Sequence, residues 1–274
     1  MHEIKITDKE FNFIRKLVYT KMGVNLTEAK RQLVIARLGK RLKKYNLEDF
    51  TAYINYLKKD PRELSIMLNL ITTNTTHFFR EKYHFYYLKD IIEKEFIGKT
   101  NKRNLRVWSA ACSTGEEVYS IAITLKEHLE KGKKYNFDIL ASDINKDVLN
   151  IAQEGIYSYE KVKKIKKEIL QKYFKMGVAE NEGKFKVKDS LKKSIKWKQI
   201  NLISPEYPFQ EKIDIIFCRN VFIYFNKETQ EKILGNFRKY LKPGGYLFLG
   251  HSENISHKKI VNGEWELKSN SVYK

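Results

Sequence analysis

Among its 274 residues the chain has only two cysteines, four prolines and 13 glycines. Cys112 and Cys218 stand far apart in small or apolar surroundings, which argues against a disulfide framework or a cysteine zinc site and suits a reducing compartment. No apolar run approaches the roughly 20 residues that cross a bilayer. The opening M-H-E-I-K-I-T-D-K-E lacks a signal-peptide layout, so the expectation is a cytoplasmic protein with no membrane insertion. The G-x-G-x-x-G fingerprint is absent, which sets aside a nicotinamide dehydrogenase. None of the six histidines forms H-E-x-x-H, so no metal site is expected. Acids are scarce too: 33 Asp and Glu face 53 Lys and Arg, a formal charge of +20. Either lysine is the default surface residue, or the excess steers the protein to an acidic partner such as nucleic acid, a membrane surface or an acidic protein.

What is present describes a globular chain, 42% hydrophobic and 31% charged, long enough for two domains and a sizeable core. Residues 9–22 bring Phe11, Ile14, Leu17 and Val18 to one helical face that must be buried. Thr27 can cap a second helix running to about residue 45. Wound at about 100° per residue, it gathers Val34, Leu38, Leu42 and Tyr45 on one stripe and Lys30, Arg37, Lys40, Arg41 and Lys44 on the adjoining one. The basic stripe has no acidic i,i+4 partner inside it and is either a solvated face or a docking surface for an acidic helix; Arg37, Lys40, Arg41 and Lys44 are its partner-binding candidates. Residues 47–57 and 61–71 read as two further amphipathic helices, broken at Asp60-Pro61. The N-terminal portion, residues 1–75, is thus expected to be all-α.

Residues 71–81, I-T-T-N-T-T-H-F-F-R-E, are dense in hydroxyls and amides. Asn74 or Thr76 can cap the helix carrying Phe85, Leu88 and Ile91, while the same donors with Arg80 would hold a carboxylate in bidentate fashion. Residues 76–100 are read as a linker that contributes to a cofactor site. From Leu105 strands alternate with helices, the pattern of a parallel sheet with crossover helices.

The stretch organising that sheet is L-R-V-W-S-A-A-C-S-T-G-E-E, residues 105–117: a strand, a loop of small residues and a helix start. Small side chains let backbone approach a ligand closely. Glu116 and Glu117 stand where a phosphate would otherwise lie, so they favour a ligand bearing positive charge, and S-adenosylmethionine has both an ammonium and a sulfonium. Spacing does not separate the two acids. Asp143 ends a second strand, F-D-I-L-A-S-D, at the position from which an acid accepts from ribose hydroxyls. Two β-like runs, residues 184–187 and 195–200, suggest an antiparallel excursion inserted at about 176–200. The chain then returns through Asn201-Leu202 to a strand at 213–218, a helix, and Y-L-F-L-G; residues 265–267 and 272–273 can finish an antiparallel edge.

Taken together, T-T-N-T-T-H-F-F-R-E, V-W-S-A-A-C-S-T-G-E-E, L-A-S-D-I, F-C-R-N-V-F-I-Y-F and L-K-P-G-G-Y-L-F-L-G-H-S-E-N closely resemble the chemotaxis receptor methyltransferases, the CheR family. The resemblance implies a Rossmann-like S-adenosylmethionine methyltransferase domain over residues 101–274 with the small inserted antiparallel β-subdomain, behind a receptor-facing all-α domain. It implies a monomer that esterifies glutamate side chains on the cytoplasmic helical domain of chemoreceptors and releases S-adenosylhomocysteine. Carried over residue by residue, Asn74, Thr76 and Arg80 would contact the methionine end, with Arg80 on its carboxylate. The family pattern favours Glu117 for the ammonium, Asp143 would hold the ribose, Asn201 and Leu202 would border the adenine, and Arg219 and Asn220 would line the cofactor. Tyr224 and Arg80 are the catalytic candidates, Tyr224 beside the transferring methyl. In some members the β-subdomain grips a receptor C-terminal tail peptide. A nucleic-acid methyltransferase is the rival enzyme, but R-N-V-F-I-Y replaces the Asn/Asp-Pro-Pro-aromatic pattern of amino-methylating enzymes, and no nucleic-acid partner is expected. A non-catalytic adaptor is disfavoured because every expected site residue is present.

Overall fold

The computed structural model describes residues 4–96, 104–129 and 136–274. These divide into two compact units, one of residues 1–73 with 224–232, the other of residues 74–223 with 233–274. Among the described residues no helix is long and apolar enough to cross a membrane.

The first unit is helical: α1 (Asp8–Met22), α2 (Arg31–Lys44), α3 (Phe50–Lys59) and α4 (Pro61–Ile71). Its caps are local chemistry. Thr7 and Glu10 form a reciprocal capping box on α1, Asp49 accepts from the Ala52 N–H at the start of α3, and Asp60 accepts from the Arg62 and Glu63 N–H groups ahead of Pro61. Thr27 makes no capping bond; a single 3-10 turn, Glu28–Lys30, precedes α2. Phe11, Ile14, Val18, Val34, Leu38, Leu42, Phe50, Tyr53 and Met67 form the core.

The basic stripe on α2 needs correcting. Arg37 donates to the carbonyls of Leu70, Ile71 and Thr72 at 2.9, 2.7 and 2.9 Å, satisfying the orphan acceptors at the end of α4. Arg41 pairs with Glu63, a carboxylate with no exposure, which also accepts from the hydroxyls of Tyr53 and Tyr45 at 2.8 and 2.9 Å. Only Lys40 and Lys44 of the four candidates are exposed. The acid that balances Arg41 comes from another helix, where i,i+4 spacing cannot reveal it.

The second unit begins with α5 (Lys82–Ile91), so the segment expected to be a linker carries a packed helix; its last residues, 97–100, and residues 101–103 lie outside the described residues. Then follow β1 (Asn104–Ala110), α6 (Glu116–Leu129), β2 (Asn136–Asp143), α7 (Lys146–Glu154), β3 (Ile156–Ser158), α8 (Tyr159–Val162), α9 (Lys167–Tyr173), β4 (Phe174–Met176), β5 (Lys184–Val187), α10 (Asp189–Lys192), β6 (Ile195–Gln199), β7 (Ile213–Cys218), α11 (Lys227–Tyr240, of which residues 227–232 group with the first unit), β8 (Leu241–Leu249), α12 (His257–Val261), β9 (Leu267–Ser269) and β10 (Val272–Tyr273). The main sheet runs β6-β2-β1-β7-β8-β10-β9. Its first five strands are parallel, and β10 and β9 close it antiparallel. Every residue of β7 is buried, as a strand covered on both faces must be.

The inserted sheet differs from the expectation. It is β3-β5-β4, antiparallel and drawn from residues 156–187, whereas β6 pairs parallel with β2 as the outer strand of the main sheet. Alternating I-K-W-K-Q fits any half-exposed strand, and a period of two does not name the neighbour.

Replacing Arg41 by Met strands a buried carboxylate, and the Arg41→Met protein should lose about 3 kcal/mol of stability in urea unfolding of the full chain, against about 0.5 kcal/mol or less for Lys40→Ala. Burial pushes the Glu63 carboxyl up, but the Arg41 guanidinium and the two tyrosines outweigh it and hold it below its ordinary value. A depressed carboxyl stabilises the fold above its unfolded pKa and loses that contribution as pH falls through the folded one. The gap between Arg41→Met and the parent should therefore narrow below about pH 4.

Candidate active site

Between β1 and α6 the backbone turns through three left-handed residues, Ala111 (φ 64°), Ser113 (φ 51°) and Gly115 (φ 92°). For Ala and Ser this conformation costs about 1 kcal/mol or more. Hydrogen bonds hold it: the Cys112 N–H to the Ser142 carbonyl at 2.8 Å, the Ser113 N–H to Asp143 Oδ2 at 2.9 Å, and the Gly115 N–H to the Cys112 carbonyl at 3.1 Å. A Cβ on Gly115 would stand 2.8 Å from Ala152 Cβ and 3.0 Å from the Tyr157 hydroxyl, so glycine is required on two counts. Asp143 Oδ1 accepts from the Asn145 N–H at 2.9 Å. Each carboxylate oxygen has a second lone pair. Burial pushes the Asp143 carboxyl up, against the pull of these N–H donors.

The paired acids diverge, because consecutive helical residues do not share a face. Glu116 is fully buried, 2.8 Å from Lys161 Nζ of α8, and accepts from the Thr114 hydroxyl at 2.6 Å. Glu117 Oε1 accepts from Ser109 at 2.8 Å and Oε2 from Arg219 Nη1 at 3.0 Å. Burial pushes the Glu117 carboxyl up, and Arg219 only partly offsets it.

The Thr/Asn-rich segment is fastened by its main chain to this loop, to α6 and to α8. Ser113 Oγ donates to the Asn74 carbonyl at 2.9 Å, Lys161 Nζ to the Thr76 carbonyl at 3.3 Å, and the Phe79 N–H to Ser120 Oγ at 2.9 Å. Arg80 Nη1 donates to the Thr75 carbonyl at 3.1 Å. On the other side of β2, the Ile200 N–H donates to the Asp143 carbonyl at 3.1 Å, which brings Asn201 and the buried Leu202 to that strand's end. Asn201 Oδ1 accepts from the Ile203 N–H at 3.2 Å.

Arg219 leaves the C-terminal end of β7 with its side chain 1% exposed, between Glu117 and Glu81. Glu81 also accepts from Asn220 Nδ2 at 3.1 Å. Tyr224 lies in the helical unit, where its carbonyl accepts from the Asn25 N–H at 2.7 Å. The second unit thus joins Asn74 to Asp143 through Ser113, and Glu117 to Asn220 through Arg219 and Glu81, in two hydrogen-bonded groups.

Three participants around the site were not singled out from sequence: Lys161, which pairs with Glu116, and Glu81 and Glu253. Glu253, 4% exposed, accepts from the N–H groups of Asn220, Gly250 and Ile223 at 2.8, 2.6 and 3.3 Å, joining the exits of β7 and β8. Glu81 and Glu253 both stand inside recognised motifs, R-E and H-S-E-N, and position there was the available signal. Among the described residues no group of three or more His, Cys, Asp or Glu is placed to hold a metal ion.

The donor set fits S-adenosylmethionine: an acid short of a full counter-charge at Glu117, a second acid at the end of β2, and a loop of small residues between them. The family model of the CheR methyltransferase all-alpha domain matches residues 9–72, and that of the CheR methyltransferase S-adenosylmethionine-binding domain matches residues 74–269. The chain is 41% identical over 262 residues to a chemotaxis protein methyltransferase of Borreliella burgdorferi, covering 93% of this chain and 92% of that one. It is 40% identical over 259 residues to chemotaxis protein methyltransferase 2 of Pseudomonas aeruginosa, covering 93% and 90%. With the Escherichia coli chemotaxis protein methyltransferase it shares 39% identity over 272 residues, covering 98% and 92%. With both domains matched in succession and relatives aligned over nearly their whole length, the chain belongs to the CheR methyltransferase family.

Proposed function

We propose that this methyltransferase esterifies glutamate side chains on the cytoplasmic helical domain of bacterial chemoreceptors, acting as a cytoplasmic monomer and so setting adaptation in chemotaxis signalling. The observation that carries the cofactor half of this reading is the divergence of the paired acids. Glu116 is neutralised by Lys161, while Glu117 shares one guanidinium with a second carboxylate and is the acid left to receive the cofactor's ammonium. Arg80 is assigned the cofactor carboxylate, with Asn74 and Thr76 beside it. Asp143 takes the ribose hydroxyls, Asn201 and Leu202 border the adenine, and Arg219 and Asn220 line the cofactor. The receptor half draws on family membership and on the names of the relatives.

When bound, S-adenosylmethionine supplies a sulfonium methyl group that a carboxylate oxygen takes as the carbon–sulfur bond breaks, giving ester and thioether with no proton transferred. A glutamate is already ionised at neutral pH, with an ordinary pKa of about 4.3, so the chain needs no general base. Its tasks are positioning, worth much of the rate, and exclusion of water, because opposite charges cancel on the way to the transition state. Tyr224 is assigned the orientation of the substrate carboxylate through its hydroxyl. On α2, Lys40 and Lys44 are the members of the basic stripe left for an acidic receptor helix. In the small sheet β4 is an edge strand, and Met176 at its end is 71% exposed. Such an edge can pair with an extended tail peptide.

Methyl groups transferred from labelled S-adenosylmethionine to receptor cytoplasmic domains should be released as methanol by mild base; label that resists base, or that enters nucleic acid instead, rejects the assignment. Tyr224→Phe should lower kcat about 10- to 100-fold, the worth of one hydrogen bond to a charged group, with the KM for S-adenosylmethionine little changed. Unchanged turnover removes Tyr224 from the mechanism.

A further inference from the structure

Arg219 is a buried guanidinium serving two carboxylates: Nη1 lies 3.0 Å from Glu117 and Nη2 3.1 Å from Glu81. Among the described residues, the other groups facing Glu81 bring no second fixed cation. Asn220 Nδ2 and the Tyr83 hydroxyl are neutral donors, at 3.1 and 3.4 Å. His84 is fully buried, with Nδ1 3.3 Å from Glu81 and Nε2 3.1 Å from the Asn270 carbonyl; burial pushes its imidazole down to about 4, so it is uncharged at neutral pH. His251 lies 3.3 Å from Glu81 on the exposed side, its own side chain in solvent. Glu253 is engaged by backbone N–H groups. The cluster of Glu81, Arg219 and Glu117 therefore carries one acid too many, and an unbalanced buried carboxylate calls for a cation.

The backbone at Glu81 is shaped for this placement. Glu81 is the N-cap of α5 with φ 57°, yet its side chain makes no capping bond, and Phe79 two residues earlier has φ 53°. Left-handed non-glycine residues persist where the surroundings over-determine them and cluster at functional sites. Here the acid turns from its own helix end to Arg219 and Asn220. Burial would raise the Glu81 carboxyl, but Arg219 and Asn220 outweigh it and hold it near 2, so Glu81 stays ionised.

We propose that Glu81 is a positioning residue for the cofactor: it balances Arg219 so that the Glu117 carboxylate is left free, and negatively charged, for the ammonium of the bound amino acid moiety. Without Glu81 the remaining pair, Arg219 and Glu117, is neutral, and an incoming ammonium must compete with a buried guanidinium for one carboxylate. The inference rests on the assignment of Glu117 to the ammonium made above.

Calorimetric titration of the full chain at pH 8 tests it with two probes, S-adenosylhomocysteine and its deamino analogue, which keeps the carboxylate and lacks the ammonium. Glu81→Gln should weaken S-adenosylhomocysteine about tenfold and the deamino analogue less than twofold, because one net charge is lost only where an ammonium reads it. Glu81→Asp, which keeps the charge, should retain the parental ratio of the two affinities. Equal weakening of both probes by Glu81→Gln, no weakening of either, or loss of the ratio in Glu81→Asp overturns the proposal, and the Asp variant decides the matter if the Gln variant fails to fold. Glu117→Gln separates the two levels: if it leaves S-adenosylhomocysteine binding unchanged, the ammonium assignment itself is wrong, whereas selective loss there with none in Glu81→Gln rejects only the role of Glu81.

Discussion

The buried guanidinium of Arg219 is the interaction on which the cofactor half of the protein depends. It ties the exit of β7 to the first turn of α6 through Glu117 and to the start of α5 through Glu81, and it donates to the Arg80 carbonyl as well. Three segments far apart in sequence are held by one side chain that cannot lose its charge. A buried ion cluster adds little to net stability compared with apolar packing. Its value here is geometric, because it fixes where Glu117 and Glu81 point.

Around that cluster the small-residue loop is clamped from both sides. Ser113 reaches Asp143 with its N–H and Asn74 with its hydroxyl, so one loop residue links the ends of β1 and β2 to the Thr/Asn-rich segment. The inserted sheet takes part in this clamp. Tyr157 of β3 donates to the Thr114 carbonyl at 2.7 Å, Lys161 of α8 pairs with Glu116, and Phe78 packs edge-on against Tyr157 and Phe174. The insertion is thus part of the wall behind the small-residue loop as well as a three-stranded sheet. In the helical unit, charges that look like a docking stripe in sequence are partly structural: Arg37 finishes α4 and Arg41 balances Glu63. A basic side chain on a helix surface serves whichever acceptor lies nearest, and carbonyls at a neighbouring helix end are strong acceptors.

Much of this was legible in the chain itself, for physical reasons that differ by element. Periodicity of 3.6 and 2 separates helices from strands, so the helices ending at Met22 and Ile71 and the strands closing on Asp143 and Cys218 follow from local pattern and from caps such as Asp60-Pro61. The loop of small residues before Glu116 follows from what a close ligand tolerates. The motifs in order identified the family, a judgement that the matched domains and the relatives near 40% identity support. Three-dimensional pairing was not legible. Strand β6 alternates like any edge strand, and only hydrogen bonding with β2 shows that it belongs to the main sheet.

By itself, then, the sequence determined the class of each element, the succession of an all-α and an α/β portion, and the chemical type of ligand, because these depend on residues close together along the chain. Tertiary structure alone decided that Glu116 faces Lys161 while Glu117 faces Arg219, that Arg37 and Arg41 turn inward, and that Glu81 and Glu253 fasten the strand exits. The reason is that a charged group is defined by the partner it meets. Those partners come from 22 to 139 positions away along the chain, a separation no local pattern encodes.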